Sequence, residues 1–307
     1  MVNPFFNKDV ISIRDFSRSD LDYLFSKSDD IQNLPIDEKK RLAFGKLLGL
    51  TFFEPSTRTR LSFEAAMLSI GGDVISITEP RTSSVEKGEN LHDTIKTIDS
   101  YVDLMVIRHR MEGAARFAAE VADKPVINGG SGSEEHPTQA MLDIYTILKE
   151  RGSLSNLKVA LVGDLKYGRT VYSLLYGLSL YNTEFALISP PELKIRDDAL
   201  IDIDSKIRIS YHENLEEVID YVDVVYATRI QKERFPDPVE YEKVKGSYLI
   251  NNLLLSKAKK ELLVMHPLPR TGEISHEVDS SPFAKYFLQT RYGKFVRSAL
   301  ISLILNK

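Results

Sequence analysis

Apolar residues along this chain come in short unbroken runs, separated by stretches whose apolar positions recur with helical spacing. Residues 47–53, 74–77, 104–107 and 126–127 read as strands, with helical patterns at 57–70, 89–101 and 112–122 between them. The rhythm returns in the second half, with apolar runs at 159–162, 185–188, 224–227, 248–251 and 262–265. Gly71-Gly72 closes the first helical stretch, because glycine readily takes the left-handed conformation that ends a helix. A run that is apolar at every position, rather than at alternate ones, marks a strand covered on both faces. Strands of that kind alternating with helices build parallel sheets.

The segment 137–150 carries Met141, Leu142, Ile144, Tyr145 and Leu148 at helical spacing and stops at Arg151-Gly152. It is expected to be the helix joining two α/β domains. A last helix within 281–305 follows the final strand and is expected to pack back on the first domain. The pattern therefore predicts two doubly wound parallel-sheet domains. The first covers 1–137 plus a C-terminal helix at about 288–307, and the second covers 151–287, with 138–150 as the linking helix. A length of 307 residues agrees, at roughly 150 residues per domain.

Composition narrows the chemistry. Apolar residues at 43% and charged residues at 27% exclude a mostly disordered chain. Lys and Arg total 40 against 44 Asp and Glu, a formal charge of −4, which lacks the broad positive field of a nucleic-acid binder. Phosphate recognition must then come from a focused site. The chain has no cysteine, which removes disulfides, thiolate nucleophiles and Cys-ligated zinc. The six histidines show no metal-ligand spacing and no G-x-G-x-x-G follows a strand, so neither a metal nor a cofactor is expected. The N-terminus has no signal-peptide pattern and the longest uncharged run, 170–183, is too short to span a bilayer. A soluble cytoplasmic protein without membrane or nucleic-acid partners is the expectation.

In parallel sheets ligands collect beyond the carboxyl ends of the strands, which directs attention to the strand-to-helix junctions. At the first, Glu54-Pro55-Ser56-Thr57-Arg58-Thr59-Arg60, Ser56 is placed to cap a helix whose first N–H groups point outward. With two Thr hydroxyls and two guanidiniums, this is a receptor for a phosphate dianion. A capped helix with solvated arginines would carry the same signature. The second is the polar loop 81–88, where Ser83 and Lys87 could donate to an anion. The third pairs Arg108-His109 with His136-Pro137-Thr138-Gln139, offering a ring N–H and an amide within one helical turn. That suits a carbonyl flanked by an amide nitrogen, although a helix-capping His is the plainer alternative. The fourth, Gly163 to Thr170, is a near miss to a nucleotide-hydrolase phosphate loop, with Arg169 where Lys should stand. A planar guanidinium suits a carboxylate better, and Arg229, after the run 224–227, is a second such fork. Either arginine alone could be ion-paired at the surface. Together the inventory describes transfer of an acyl-like group from a phosphorylated donor to an acceptor bearing carboxylates.

In order along nearly the whole chain, these motifs resemble the catalytic chains of the aspartate carbamoyltransferase family. The resemblance rests on Ser56-Thr57-Arg58-Thr59-Arg60, Lys87-Gly88-Glu89, Arg108-His109, Glu112-Gly113-Ala114-Ala115-Arg116 and His136-Pro137-Thr138-Gln139. It continues through 163–170, 228–234 and His266-Pro267-Leu268-Pro269-Arg270. Ornithine carbamoyltransferases share the first phosphate motif and H-P-x-Q, but typically carry His-Cys-Leu-Pro in place of 266–269 and lack the paired Arg forks. A phosphate-loop nucleotide hydrolase built on 163–170 would leave Arg58, His136 and Arg229 unexplained.

The resemblance implies transfer of the carbamoyl group of carbamoyl phosphate to L-aspartate, the committed step of de novo pyrimidine biosynthesis. It implies that Ser56, Thr57, Arg58 and Thr59 hold the phosphate, and that Thr59, Arg108 and His136 polarise the carbonyl. Gln139 and the backbone carbonyls of Pro267 and Leu268 would accept from the carbamoyl NH₂, with Pro269 completing that part of the carbamoyl phosphate site. Arg169 would bind the α-carboxylate of aspartate, and Arg229, supported by Gln231, the β-carboxylate. Ser83 and Lys87 would enter from a neighbouring subunit of a homotrimer with shared active sites, Lys87 also meeting aspartate. Glu54 would pair with Arg169 and Arg234 on domain closure. A regulatory chain is left open.

Overall fold

A computed structural model of the chain describes residues 2–77, 88–133, 135–201, 203, 207–230, 238–244 and 246–307. It divides into two compact units, Met1–Leu142 with Arg291–Lys307, and Asp143–Thr290.

In the first unit, α1 (Arg18–Asn33) and α2 (Ile36–Lys39) precede β1 (Leu47–Phe52), α3 (Thr57–Ser69) and β2 (Asp73–Ile77). Then come α4 (Leu91–Asp99), β3 (Leu104–Arg108), α5 (Ala114–Val121) and β4 (Val126–Asn128). The strands are parallel in the order β2-β1-β3-β4. Ile95 and Ile98 of α4 and Ala115 and Ala118 of α5 pack with Met105, Ile107 and Val126 on one face of the sheet. Leu48, Leu50, Leu104 and Val106 alternate with that set and are also fully buried. Burial on both faces is why β1 and β3 read as continuous apolar runs.

The chain leaves this unit within α6 (Pro137–Arg151) and returns within α10 (Tyr286–Leu305). The returning stretch is tied into the first unit by Arg297 Nη1, which donates to Ser62 Oγ at 2.6 Å, and by Ser298 Oγ, which donates to the Ala66 carbonyl at 3.2 Å. The C-terminal helix thus packs on α3.

The second unit contains β5 (Lys158–Val162), α7 (Arg169–Ser179), β6 (Glu184–Ile188), β7 (Ile209–His212), β8 (Val224–Ala227), α8 (Pro238–Val244), α9 (Asn252–Leu255) and β9 (Leu263–Met265). Its strands are parallel in the order β7-β6-β5-β8-β9. Val162, Ile188, Val225 and Val264 join Val218, Ile219, Leu254 and Leu255 in one buried cluster. Val171, Leu174, Leu175 and Leu178 of α7 are fully buried as well. No helix among the described residues is long and apolar enough to cross a membrane.

Two differences from the sequence pattern stand out. The run 248–251 is not a strand: only Ile250 makes an isolated bridge, to Ile274, and Asn251 turns the chain by accepting from Leu254 N to cap α9. Its apolar residues serve a core contact, and the local capping bond of Asn251 wins over strand continuation. Conversely β7, with Ser210 and Tyr211 exposed at the sheet edge, and α1, capped by a Ser17/Asp20 capping box, have no counterpart in the apolar runs.

Candidate active site

Each sheet has one place where the strand order reverses, β1/β3 in the first unit and β5/β8 in the second. Chains leaving the two strands there turn to opposite faces, which opens a crevice at their carboxyl ends. Glu54 to Arg60 and Arg108-His109 lie at or just beyond the ends of the two strands of the first reversal, and 163–170 and Thr228-Arg229 at those of the second.

In the first unit Phe52 at the end of β1 lies in register with Arg108 at the end of β3, and Phe53 N donates to the Arg108 carbonyl at 2.8 Å. The chain then turns through Glu54-Pro55 into α3. Arg108 is 8% exposed, and its fork is held on two sides: Nη2 donates to Glu54 Oε1 at 2.6 Å and Nη1 to the Gly129 carbonyl at 3.1 Å. Thr59, one turn into α3, is buried and its Oγ1 lies 3.4 Å from His136 Nε2. His136 is 3% exposed and starts α6, its carbonyl accepting from Gln139 N and Ala140 N. Gly130 lies against both groups at φ +100°, where a Cβ would come within 2.8 Å of Arg108 Nη1 and 3.0 Å of His136 Cδ2. Only glycine fits that backbone conformation and that approach.

Thr57 and Arg58 are exposed on the first turn of α3. Ser56 occupies the N-cap position, but its side chain makes no capping hydrogen bond, contrary to the capping role read from the sequence. The helix end then presents its dipole with Arg58 and Thr57 beside it, the arrangement that favours an anion. Neighbouring His109 is held below the usual imidazole range, chiefly by burial, and packs edge-on against Phe53.

In the second unit, β5 and β8 end side by side, with Val162 in register with Ala227. Gly163 takes φ +112°, and a Cβ there would fall 2.3 Å from the Thr228 carbonyl. Thr228 Oγ1 accepts from Asp164 N and donates to the Val162 carbonyl, each at 3.2 Å, so it fastens the β5–α7 loop to the end of β8. Asp164 Oδ1 accepts from Tyr167 N at 2.9 Å, and Gly168 then opens α7 with Arg169 as its first residue. Arg169 and Arg229 therefore leave adjacent strand ends, both half-buried.

β9 pairs with β8, bringing His266 alongside. His266 N donates to Gln289 Oε1 at 3.1 Å, Gln289 Nε2 to Asp143 Oδ1 at 2.5 Å, and Tyr226 OH to Asp143 Oδ2 at 2.8 Å. This network anchors the segment Pro267-Leu268-Pro269, in which Leu268 has φ +56° and the Leu268–Pro269 bond is cis. Burial, against the pull of Glu273, keeps His266 below its ordinary range, with Arg270 and Arg229 adding to the depression.

Ser83, Lys87, Gln231 and Arg234 lie outside the described residues. Glu54, expected to meet Arg169 and Arg234, here accepts from Arg108. The sequence pattern does not single out Gly130 or Glu273, and it carries Thr228 only as a motif position without a role. The available signal for Gly130 is the glycine pair 129–130, one residue beyond the short apolar run at 126–127.

Two family models match the chain: the carbamoyl-P binding domain of aspartate/ornithine carbamoyltransferase over residues 8–149, and the Asp/Orn binding domain over 155–304. The aspartate carbamoyltransferase catalytic subunit of Nitrosopumilus maritimus is 54% identical over 306 residues, spanning 100% of this chain and 99% of its own. That of Thermofilum pendens is 53% identical, over 99% of this chain and 97% of its own. Among solved structures, the catalytic subunit of M. jannaschii aspartate transcarbamoylase superposes with a TM-score of 0.88 at 49% identity, over 96% of this chain and 97% of that one. Aspartate transcarbamoylase from Trypanosoma cruzi in complex with N-(phosphonacetyl)-L-aspartic acid gives 0.94 at 40% identity, over 99% and 98%.

Proposed function

The chain belongs to the aspartate/ornithine carbamoyltransferase family, and from that premise we infer that it transfers the carbamoyl group of carbamoyl phosphate to the amine of L-aspartate, releasing N-carbamoyl-L-aspartate and phosphate. The observation that carries the reading is the placement of a different receptor at each sheet's reversal. Arg58, Thr59, Arg108 and His136 gather at β1/β3, while Arg169 and Arg229 leave β5/β8. One set suits a phosphorylated carbonyl compound, the other a dicarboxylate. For the acceptor, two Arg forks and Pro267 in place of cysteine favour aspartate over ornithine.

In this reading Ser56, Thr57, Arg58 and Thr59 hold the phosphate at the α3 N-terminus. Thr59, Arg108 and His136 donate to the carbonyl oxygen, and Gln139 with the backbone carbonyls of Pro267 and Leu268 accepts from the carbamoyl NH₂, beside Pro269. Arg169 takes the α-carboxylate of aspartate and Arg229, with Gln231, the β-carboxylate. The neutral amine attacks the carbonyl carbon, forming the C–N bond and a tetrahedral oxyanion. As the oxyanion collapses, the C–O bond to phosphate breaks and the departing phosphate takes the amine proton. Catalysis is then mainly positioning and electrostatic stabilisation of the oxyanion. Family membership also supports a homotrimer in which Ser83 and Lys87 complete a neighbouring subunit's site, a cytoplasmic location, and Glu54 exchanging partners toward Arg169 and Arg234; a regulatory chain stays open.

Steady-state kinetics of two variants tests the division of labour. Arg58→Ala should nearly abolish turnover, whereas Arg229→Ala should chiefly raise KM for aspartate. Wild-type turnover in Arg58→Ala would overturn the phosphate assignment.

A further inference from the structure

The segment Pro267-Leu268-Pro269 has no regular hydrogen-bonding partner strand, yet its backbone is sharply defined. What defines it is a side chain from its own beginning. His266, 2% exposed, folds back so that Nδ1 accepts from Leu268 N at 2.8 Å. Its other nitrogen, Nε2, lies 2.7 Å from Glu273 Oε1. Each partner allows one assignment only. A backbone N–H can only donate, so Nδ1 carries no hydrogen; an ionised carboxylate can only accept, so the hydrogen sits on Nε2.

The charge states agree with this geometry. Burial, outweighing Glu273, holds the imidazole below its usual range and so neutral. Burial works to raise the Glu273 carboxyl, but hydrogen bonds from His266 and from the Thr271 and Glu273 backbone N–H groups outweigh it and keep the group ionised. Thr271 N donates to Glu273 Oε2 at 2.9 Å, so both carboxylate oxygens are engaged and the side chain is held from two directions.

The consequence for the site follows from peptide geometry. In a trans peptide unit the N–H and the C=O point in opposite directions. The Leu268 N–H and the Pro267 carbonyl belong to one such unit, since the Leu268–Pro269 bond is the cis one. Drawing the N–H onto His266 Nδ1 therefore aims the Pro267 carbonyl away from the histidine. It also holds Leu268 at φ +56°, a left-handed conformation that leucine does not favour. With the hydrogen on Nδ1 instead, two N–H groups would face each other and the turn would lose its tether.

We propose that Glu273 is a positioning residue for carbamoyl transfer: by keeping the hydrogen on His266 Nε2 it lets Nδ1 hold the Leu268 N–H, which aims the Pro267 carbonyl at the carbamoyl NH₂. The inference rests on the functional reading above for the role of that carbonyl. Glu273 itself touches no substrate.

The test compares the full chain with Glu273→Leu, which removes the acceptor for Nε2, and Glu273→Gln, which keeps one in its amide oxygen. The readouts are kcat/KM for carbamoyl phosphate and the inhibition constant of inorganic phosphate, which probes the α3 receptor alone. Glu273→Leu should lose about 10–100-fold in kcat/KM, the scale of a misaimed group, with phosphate inhibition changed by less than about twofold. Glu273→Gln should recover to within about threefold of the unaltered chain. Full activity in Glu273→Leu, equal losses in both variants, or phosphate inhibition weakening in step with kcat/KM would each overturn the proposal. Absence of aspartate carbamoylation by the unaltered chain would overturn the functional reading, and this role with it. Neutron diffraction from crystals of the unaltered chain adds a check that needs no variant: the hydrogen should lie on His266 Nε2 alone, and a hydrogen on Nδ1 would contradict the proposal.

Discussion

At His136 a nearly buried imidazole meets the Thr59 hydroxyl across 3.4 Å, while Arg108 is held by Glu54 and Gly129. Donors fixed before the reaction stabilise a developing oxyanion without reorganising, which is where such groups contribute most. His136→Ala should therefore lower kcat by an amount equivalent to about 2–4 kcal/mol, with a smaller change in KM for aspartate. Steady-state kinetics with both substrates varied checks this, and an unchanged kcat would contradict it. The residue types were legible in the sequence because arginine, threonine and histidine gathered where strands give way to helices. The partners were not. Glu54 and Arg108 are 54 positions apart, and only the register of Phe52 with Arg108 brings them together. Likewise the contact of Gly130 with Arg108 and His136 exists only once β3 and α6 are in place.

Among elements, the β5–α7 loop depends on one hydroxyl from the end of β8. Thr228→Val keeps the shape but leaves the buried Asp164 N–H without its acceptor, a loss of about 1–3 kcal/mol. The urea midpoint should fall accordingly and KM for aspartate should rise, because Arg229 is the next residue. A normal KM with lowered stability would separate the loop from aspartate binding. The interior strands were legible because both faces are buried, which writes an uninterrupted apolar run. Edge strand β7 has no such run, as Ser210 and Tyr211 face solvent. The run 248–251 misled for the opposite reason, since Ile250 is buried by a core cluster rather than by strand neighbours.

For the whole molecule, acid stability and the reaction itself are the properties to measure. Asp279 is held down to about 2, first by the hydrogen bond from Arg270 and further by one from Tyr286. A carboxyl depressed in the folded state adds stability that is present above its unfolded pKa and lost as pH falls through the folded value. Asp279→Asn should thus be less stable than the unaltered chain at neutral pH. The difference should shrink between the ordinary carboxylate range and about pH 2. A difference that stays constant across that window in acid unfolding experiments would contradict the ion pair's part.

The central claim, that the phosphate receptor of one unit and the two Arg forks of the other serve carbamoyl transfer to a dicarboxylate amine, is met most directly by an acceptor assay. The purified chain is given carbamoyl phosphate with L-aspartate or with L-ornithine, and both carbamoylated products are quantified. The account predicts N-carbamoyl-L-aspartate and no product from ornithine. Turnover of ornithine in place of aspartate, or of neither, would contradict it.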